Sequence, residues 1–278
     1  MNIPLKVSFS LSLAFIALSL SCYSAAGRPP LSAEHPSNAL PLPSKPFVKL
    51  DATRFQKPYP DFGEKITVIY ENQVLGSFEN YNRPPEESQV KQRLQKYAGQ
   101  PRVVLDIESW SISHNQKLDP NATKHASWYL AVLRWAREVL PGTDIGYFGL
   151  PLSPWFTIKN PAAFARDYQA MLELLMPVLL ESDTLYPEFY IYYNDPETLI
   201  ITMGRQIKLA RDLGKPVLPF LWHRGPGSIF KNQLIPRPLL QQQCEFVKRY
   251  ADGWVWWSIS SESWDKNAWD KVIKNCFE

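Results

Sequence analysis

Val103-Val104-Leu105-Asp106-Ile107-Glu108 is an aliphatic run that passes into two carboxylates and is followed by Ser109-Trp110. Its length and its lack of helical spacing read as a β-strand. In a strand, side chains at i and i+2 share a face, so Asp106 and Glu108 point the same way and Ile107 points opposite. Pleat geometry sets the two carboxylates about 7 Å apart along the chain.

Outward from this strand the same kind of run recurs at Ile66–Tyr70, Ile145–Phe148, Glu188–Tyr193, Val217–Trp222 and Trp254–Ser258. Helical patterns fill the intervals, at about 85–98, 122–139, 161–180, 196–213, 237–250 and 264–275. Gly142, Gly214 and Gly253 fall just after helical stretches, where a left-handed C-cap is favoured. Repeated strand–helix alternation implies parallel strands joined by right-handed crossovers. A closed barrel and an open doubly wound sheet both satisfy that pattern. No G-x-G-x-x-G or P-loop follows any strand, which removes the main sign of the nucleotide-binding open sheet. Polar and aromatic residues gather instead at the C-terminal ends of several strands, where barrel enzymes build their sites. The expected fold class is α/β, a distorted (β/α) barrel of the TIM type, forming a single domain over 61–278.

Upstream, Lys6, the apolar stretch from Val7 to Leu20 and Ser24-Ala25-Ala26 have the order of a secretory signal, expected to occupy 1–26. The rival reading is lipidation at Cys22, although Ser19 stands where a lipoprotein signal carries a large aliphatic residue. A secreted or periplasmic protein is the expectation. The Pro/Ser-rich stretch from 27 to 60 reads as a linker or arm. Cleavage after Ala26 leaves two cysteines, Cys244 and Cys276, which are expected to pair in an oxidising compartment. No second long apolar segment follows, so no membrane span is expected. A net charge of +3 without a Lys/Arg block gives no sign of nucleic acid. Asn121-Ala122-Thr123 is a glycosylation sequon in a eukaryotic host. The four histidines, His35, His114, His125 and His223, lack ligand spacing, so no metal or other cofactor is expected. Ser258, Ser260 and Ser261 lack the G-x-S-x-G setting of a serine hydrolase.

A like charge and partial desolvation raise one carboxyl of a close pair, which suits it to protonate a leaving oxygen near neutral pH. A bare D-x-E is also common among solvated loop residues, so the other segments carry weight. Gly146-Tyr147-Phe148-Gly149-Leu150-Pro151 ends one strand, and Leu185-Tyr186-Pro187-Glu188-Phe189-Tyr190 opens another. Val217-Leu218-Pro219-Phe220 and Ala251-Asp252-Gly253-Trp254-Val255-Trp256-Trp257 follow. In that order, with the D-x-E-x-W, these segments resemble the hyaluronidase family of glycoside hydrolases, the animal and venom type, from about Thr67 to Cys276.

The resemblance implies a distorted (β/α) barrel and a retaining, substrate-assisted mechanism, in which the substrate's own 2-acetamido carbonyl is the nucleophile. Carried over by position, Glu108 is the acid and then the base, and Asp106 supports it and the acetamido group. Tyr186 is the site tyrosine and Trp257 the sugar-packing tryptophan. Tyr147 also matches a family position, with a barrel-core role as the alternative. Trp110, Trp222 and His223 complete the candidate substrate contacts. The family carries tyrosines after V-L-P, and none stands in Phe220-Leu221-Trp222-His223-Arg224-Gly225; His223 is the candidate to replace that hydrogen bond. Arg224 and Arg102 are the candidate cations for a polyanion. The leading expectation is a monomeric hydrolase of an N-acetylhexosamine-containing, hyaluronan-like polysaccharide. The alternatives are a carbohydrate-binding barrel without turnover and a tethered interaction protein.

Overall fold

The computed structural model describes residues 40–55, 59–114, 117–154, 164–226, 230–259 and 262–278. The expected signal segment, Cys22 and the first part of the arm lie outside the described residues.

The main strands are β1 (Val48–Ala52), β2 (Glu64–Lys65), β3 (Thr67–Tyr70), β4 (Arg102–Asp106), β7 (Asp144–Tyr147), β8 (Phe220–Leu221) and β9 (Gly253–Trp257). Between β4 and β7 lies a small antiparallel pair, β5 (Ser113–His114) with β6 (Lys117–Leu118). All ladders among the main strands are parallel. β3 pairs with β4 and β4 with β7. Phe148, just past β7, bridges Tyr186 in parallel, while Leu185 bridges Val217 and Glu188 bridges Phe220. β8 pairs with β9, β9 with β1 and β1 with β2. Ile66 alone separates β2 from β3, and its N–H donates to the Asp51 carbonyl at 3.2 Å. The sequence of neighbours therefore leads from segment 64–70 through every parallel strand and back to that segment.

Helices follow the strands: α1 (Glu71–Leu75), α2 (Glu87–Leu94), α3 (Ala122–Val139), α4 (Gln169–Glu181), α5 (Pro196–Asp212) and α6 (Arg237–Tyr250). A final helical stretch runs through Lys266–Ala268, Trp269–Ile273 and Lys274–Phe277. In α3 the buried residues Ala122, His125, Ala126, Trp128, Tyr129, Val132, Leu133 and Ala136 fall at three- and four-residue steps, the stripe that a helix lays on a sheet. α5 begins at Pro196, whose ring suits a first helical position, and Asp195 accepts from the Thr198 N–H at 3.1 Å.

Strand alternation sorts the core into two layers. Leu50, Ala52, Val104, Tyr186, Leu218, Phe220 and Val255 form one buried cluster between the strands. The opposite parity of β9 sends Trp254 and Trp256 outward, where both meet Phe277 and Trp256 also stacks on Phe62. Cys244 of α6 and Cys276 form a disulfide, with Cα atoms 5.4 Å apart, tying the last helices together.

The structure corrects three expectations. The stretch from 27 to 60 is not a linker throughout: Val48–Ala52 is β1, paired along its length with β9. Its alternation is short and its flanks are proline-rich, so local composition concealed a strand whose stability comes from a partner two hundred residues away. Gly253 is not a helix cap but the first residue of β9; a Cβ there would lie 2.1 Å from the Val48 carbonyl oxygen, so close strand approach requires glycine. The pairings expected over Glu188–Tyr193 occur at residues 185–188. Pro187 has no N–H to donate, and only isolated bridges form around it.

Candidate active site

Asp106 is the last residue of β4 and is 8% exposed, whereas Glu108, two residues on, is open to solvent. The turn that carries Glu108 is held from three sides. The Tyr129 hydroxyl from α3 donates to the Ile107 carbonyl at 2.6 Å and reaches the Trp110 carbonyl at 3.2 Å. Glu71, the first residue of α1, accepts from the Ser109 N–H at 3.0 Å through Oε2. The Trp110 indole N–H donates to the Tyr81 carbonyl at 2.8 Å. A rotamer-rich glutamate is thereby mounted on a fixed backbone, the condition for positioning a proton.

The electrostatics follow from this crowding. Burial first, and then the charges of Glu108 and Glu71, push the Asp106 carboxyl up to about 8. Burial and the Glu71 charge raise Glu108 too, while its hydrogen-bonding contact with Asp106 pulls the other way. Two interacting carboxyls of this kind titrate as a pair, and burial with mutual repulsion favours a proton on one of them. Asp106 Oδ1 is buried and makes no hydrogen bond to the protein. Glu188, across the cleft, is pushed up to about 7 by burial and by the Glu108 charge, against a hydrogen bond donated by Tyr192.

Trp257, at the end of β9, forms one wall. Its ring lies 5.6 Å from that of Tyr190, at an interplanar angle of 30°, and 5.1 Å from Trp222, edge to face. Its indole N–H points to the Tyr70 hydroxyl at 3.4 Å. Burial and the charges of Glu188, Asp106 and Glu108 raise the Tyr190 hydroxyl well above its ordinary value. Tyr190 therefore stands between the carboxyl pair and the tryptophan.

The structure brings Asp106, Glu108 and Trp257 to one end of the parallel strands and disperses the other candidates. Tyr186 is fully buried in the cluster between the strands; its hydroxyl feels Asp144, at the opposite end of the sheet, more than any other charge. Tyr190, the second tyrosine of the same L-Y-P-x-x-Y segment, four residues on and beyond Pro187, lies instead against Trp257. Tyr147 is 1% exposed and donates to the Tyr129 carbonyl at 2.8 Å, so it buttresses the Tyr129 anchor instead of meeting substrate. Trp110, equally buried, packs edge-on against Trp128 and Tyr129. Trp222, 3% exposed, backs Trp257 and donates to Glu262 Oε2 at 3.2 Å. His223 points away from the cleft: its ring stacks on Trp256 at 8° and its Nε2 meets Glu262 Oε1 at 2.7 Å. It therefore cannot replace a tyrosine hydroxyl in the site. Sequence reading also missed Glu71, which opens α1, and Glu188, which lies in the bridged segment 185–188, because a lone carboxylate in either setting looks like an ordinary solvated residue.

No family model and no curated protein matches the sequence. Solved structures do match the fold. Bee venom hyaluronidase superposes with a TM-score of 0.55 at 16% identity, over 77% of this chain and 83% of that one. Bee venom hyaluronidase in complex with a hyaluronic acid tetramer gives a TM-score of 0.55 at 15% identity, over 77% and 82% of the two chains. The parallel α/β architecture is thus similar to that of bee venom hyaluronidase, and the similarity is one of fold.

Proposed function

We propose that the chain is an exported glycoside hydrolase, a distorted (β/α) barrel that cleaves an N-acetylhexosamine-containing polysaccharide by retaining, substrate-assisted catalysis. The observation that carries the reading is the pair of buried Asp106 and exposed Glu108, whose carboxyls are both raised by burial and neighbouring charge, set near the Tyr190–Trp257 wall at the C-terminal ends of parallel strands. Glu108 protonates the glycosidic oxygen as the substrate's acetamido carbonyl oxygen attacks C1 and the C1–O bond breaks. Asp106, ionised once the pair's proton lies on Glu108, accepts from the acetamido N–H and offsets the positive charge that develops. Glu108, now a carboxylate, takes a proton from the water that opens the cyclic intermediate, and the acid is restored. The Trp257 face packs the apolar side of a sugar ring, and Tyr190 donates near the reacting centre. The Cys244–Cys276 disulfide supports export, because disulfides persist in oxidising compartments. Among the described residues no helix is long and apolar enough to cross a membrane.

A second reading, carbohydrate binding without turnover, is favoured by the absence of tyrosine from Phe220–Gly225. One experiment separates the two: reducing-end release from hyaluronan, chondroitin, chitin and peptidoglycan by the chain and by Glu108→Gln. Turnover that falls about 10²–10⁴-fold in Glu108→Gln, with oligosaccharide binding kept, is the expected result. Binding of these polymers without any release supports the second reading, and full activity in Glu108→Gln overturns the role of Glu108.

A further inference from the structure

Residues 76–86 join α1 to α2, and a recess of about 250 Å³ lies between this connection and α2. Its polar lining comes from Asn80, Arg83, Glu86, Gln89 and Arg93. Arg83 is exposed, on a turn closed by its own N–H, which donates to the Asn80 carbonyl at 3.0 Å. Arg93 is half-buried, and its Nη2 donates to Gln89 Oε1 at 3.0 Å. Gly76 makes room for that guanidinium. A Cβ there would lie 2.8 Å from Nη2 and 3.0 Å from Cζ, and the φ of +88° favours glycine.

The charges in this recess are not balanced. Arg102, Arg134, Arg211 and Arg224 pair with Asp144, Glu181, Asp252 and Glu262. Arg83 and Arg93 form no ion pair among the described residues. Glu86 shares the recess, but its carboxylate accepts from Ser88 Oγ at 2.9 Å and from Gln89 Nε2, not from a guanidinium. One carboxylate against two arginines leaves the lining net positive. Two like charges around one recess repel, and an anion between them relieves the repulsion. The planar fork of N–H donors on each guanidinium matches the paired oxygens of a carboxylate, sulfate or phosphate.

We propose that Arg83 and Arg93 form a binding site for a compact oxyanion, a sulfate, phosphate or carboxylate group, in the recess between residues 76–86 and α2. The inference does not depend on the glycoside-hydrolase reading. It bears on the same end of the fold, because residues 76–86 also carry Tyr81, whose carbonyl holds the Trp110 indole beside the turn of Glu108. An anion in the recess would brace that connection.

The test is calorimetric titration of the purified chain with sulfate and with phosphate, in chloride buffer at fixed ionic strength. We expect saturable binding at one site per chain, weakened at least about tenfold by Arg83→Gln and by Arg93→Gln, the scale of losing one charge-assisted hydrogen bond. Arg93→Lys, which keeps the charge without the fork, should fall between Arg93→Gln and the parent. Arg83 is exposed, so Arg83→Gln keeps the fold and decides the matter should Arg93→Gln unfold. A second arm compares chondroitin oligosaccharides of matched length with and without sulfate. Free sulfate or phosphate bound through Arg83 supports a site for the ion itself. Weak binding of the free ions, with an Arg83-dependent preference for the sulfated chain, supports a site for an anionic group on a sugar. If neither ion nor sulfated chain binds, or if Arg83→Gln and Arg93→Lys bind as tightly as the parent, the proposal is overturned.

Discussion

Tyr190 and Trp257 come from segments 67 residues apart in sequence and stack with ring centres 5.6 Å apart. The contact joins the chain after Pro187 to the end of β9 and builds an aromatic surface whose Tyr190 hydroxyl feels the charges of Glu188, Asp106 and Glu108. On the proposed reading it separates residues that hold the strands together from residues that would meet a sugar.

That separation is measurable. Trp257→Ala should weaken oligosaccharide binding by ~1–3 kcal/mol, the scale of one large apolar side chain. Trp254→Ala, which empties a site between β9 and the last helix, should instead cost ~3–5 kcal/mol of folding stability. Tyr190→Phe should lower kcat, whereas Tyr186→Phe should not. Denaturant titration, calorimetric binding and turnover on the four variants check this; a Tyr186→Phe enzyme slowed more than Tyr190→Phe would reverse the assignment.

The pH profile follows from the pair. With Asp106 at about 8, the proton it shares with Glu108 is lost as pH rises through that value, so kcat should fall on the alkaline side near pH 8. Asp106→Asn should move that limb to lower pH, because Glu108 loses the neighbouring like charge that helps it keep its proton, and should lower the rate more than the affinity. An alkaline limb unchanged in Asp106→Asn would assign it to another group.

Glu188 has the opposite sign from a salt-bridged carboxylate. Its folded value of about 7 lies above the ordinary 4.5, so between those values the folded state binds more protons than the unfolded. Stability is then highest at acid pH and declines as pH rises from about 4.5 to about 7. Glu188→Gln should flatten that decline and stabilise the protein at pH 8 by ~1–3 kcal/mol. Thermal melts of both proteins from pH 4 to 8 provide the measurement, and parallel curves would refute it.

Glu262 is a clamp for three successive residues: Trp222, His223 and Arg224 all direct a side-chain nitrogen to its carboxylate, at 3.2, 2.7 and 2.6 Å. Burial alone would raise its pKa, yet these donors hold it below the usual value. Its contribution is thus present above the unfolded pKa and lost as pH falls through the folded one. Glu262→Ala should cost ~3 kcal/mol, leaving buried donors without an acceptor. It should also loosen Trp222 behind Trp257, so oligosaccharide affinity should drop as well. Unchanged affinity would show that Trp257 keeps its place without Trp222.

Much of the fold was legible in the sequence because its signals are local. The helices at 122–139, 196–212 and 237–250 carry their own apolar stripes, Pro196 marks a start and Gly142 and Gly214 mark ends. The aliphatic strand Val103–Ile107 and the pairing of Cys244 with Cys276 were readable for the same reason: an apolar run, and two cysteines left to meet. The strand period placed Asp106 at the end of β4, but Glu108 stands two residues on, in a turn that Tyr129, Glu71 and Trp110 hold. Tertiary structure alone decided the rest. β1 exists because β9 hydrogen-bonds it, and the packing of segment 185–190 decides that Tyr186 is buried between the strands while Tyr190 lies against Trp257. The acidic surroundings of the pair arise because Glu71 and Glu188, remote in sequence, are brought beside it by the fold. A charge reads as a surface residue until packing removes its water, and only the folded chain specifies which charges those are.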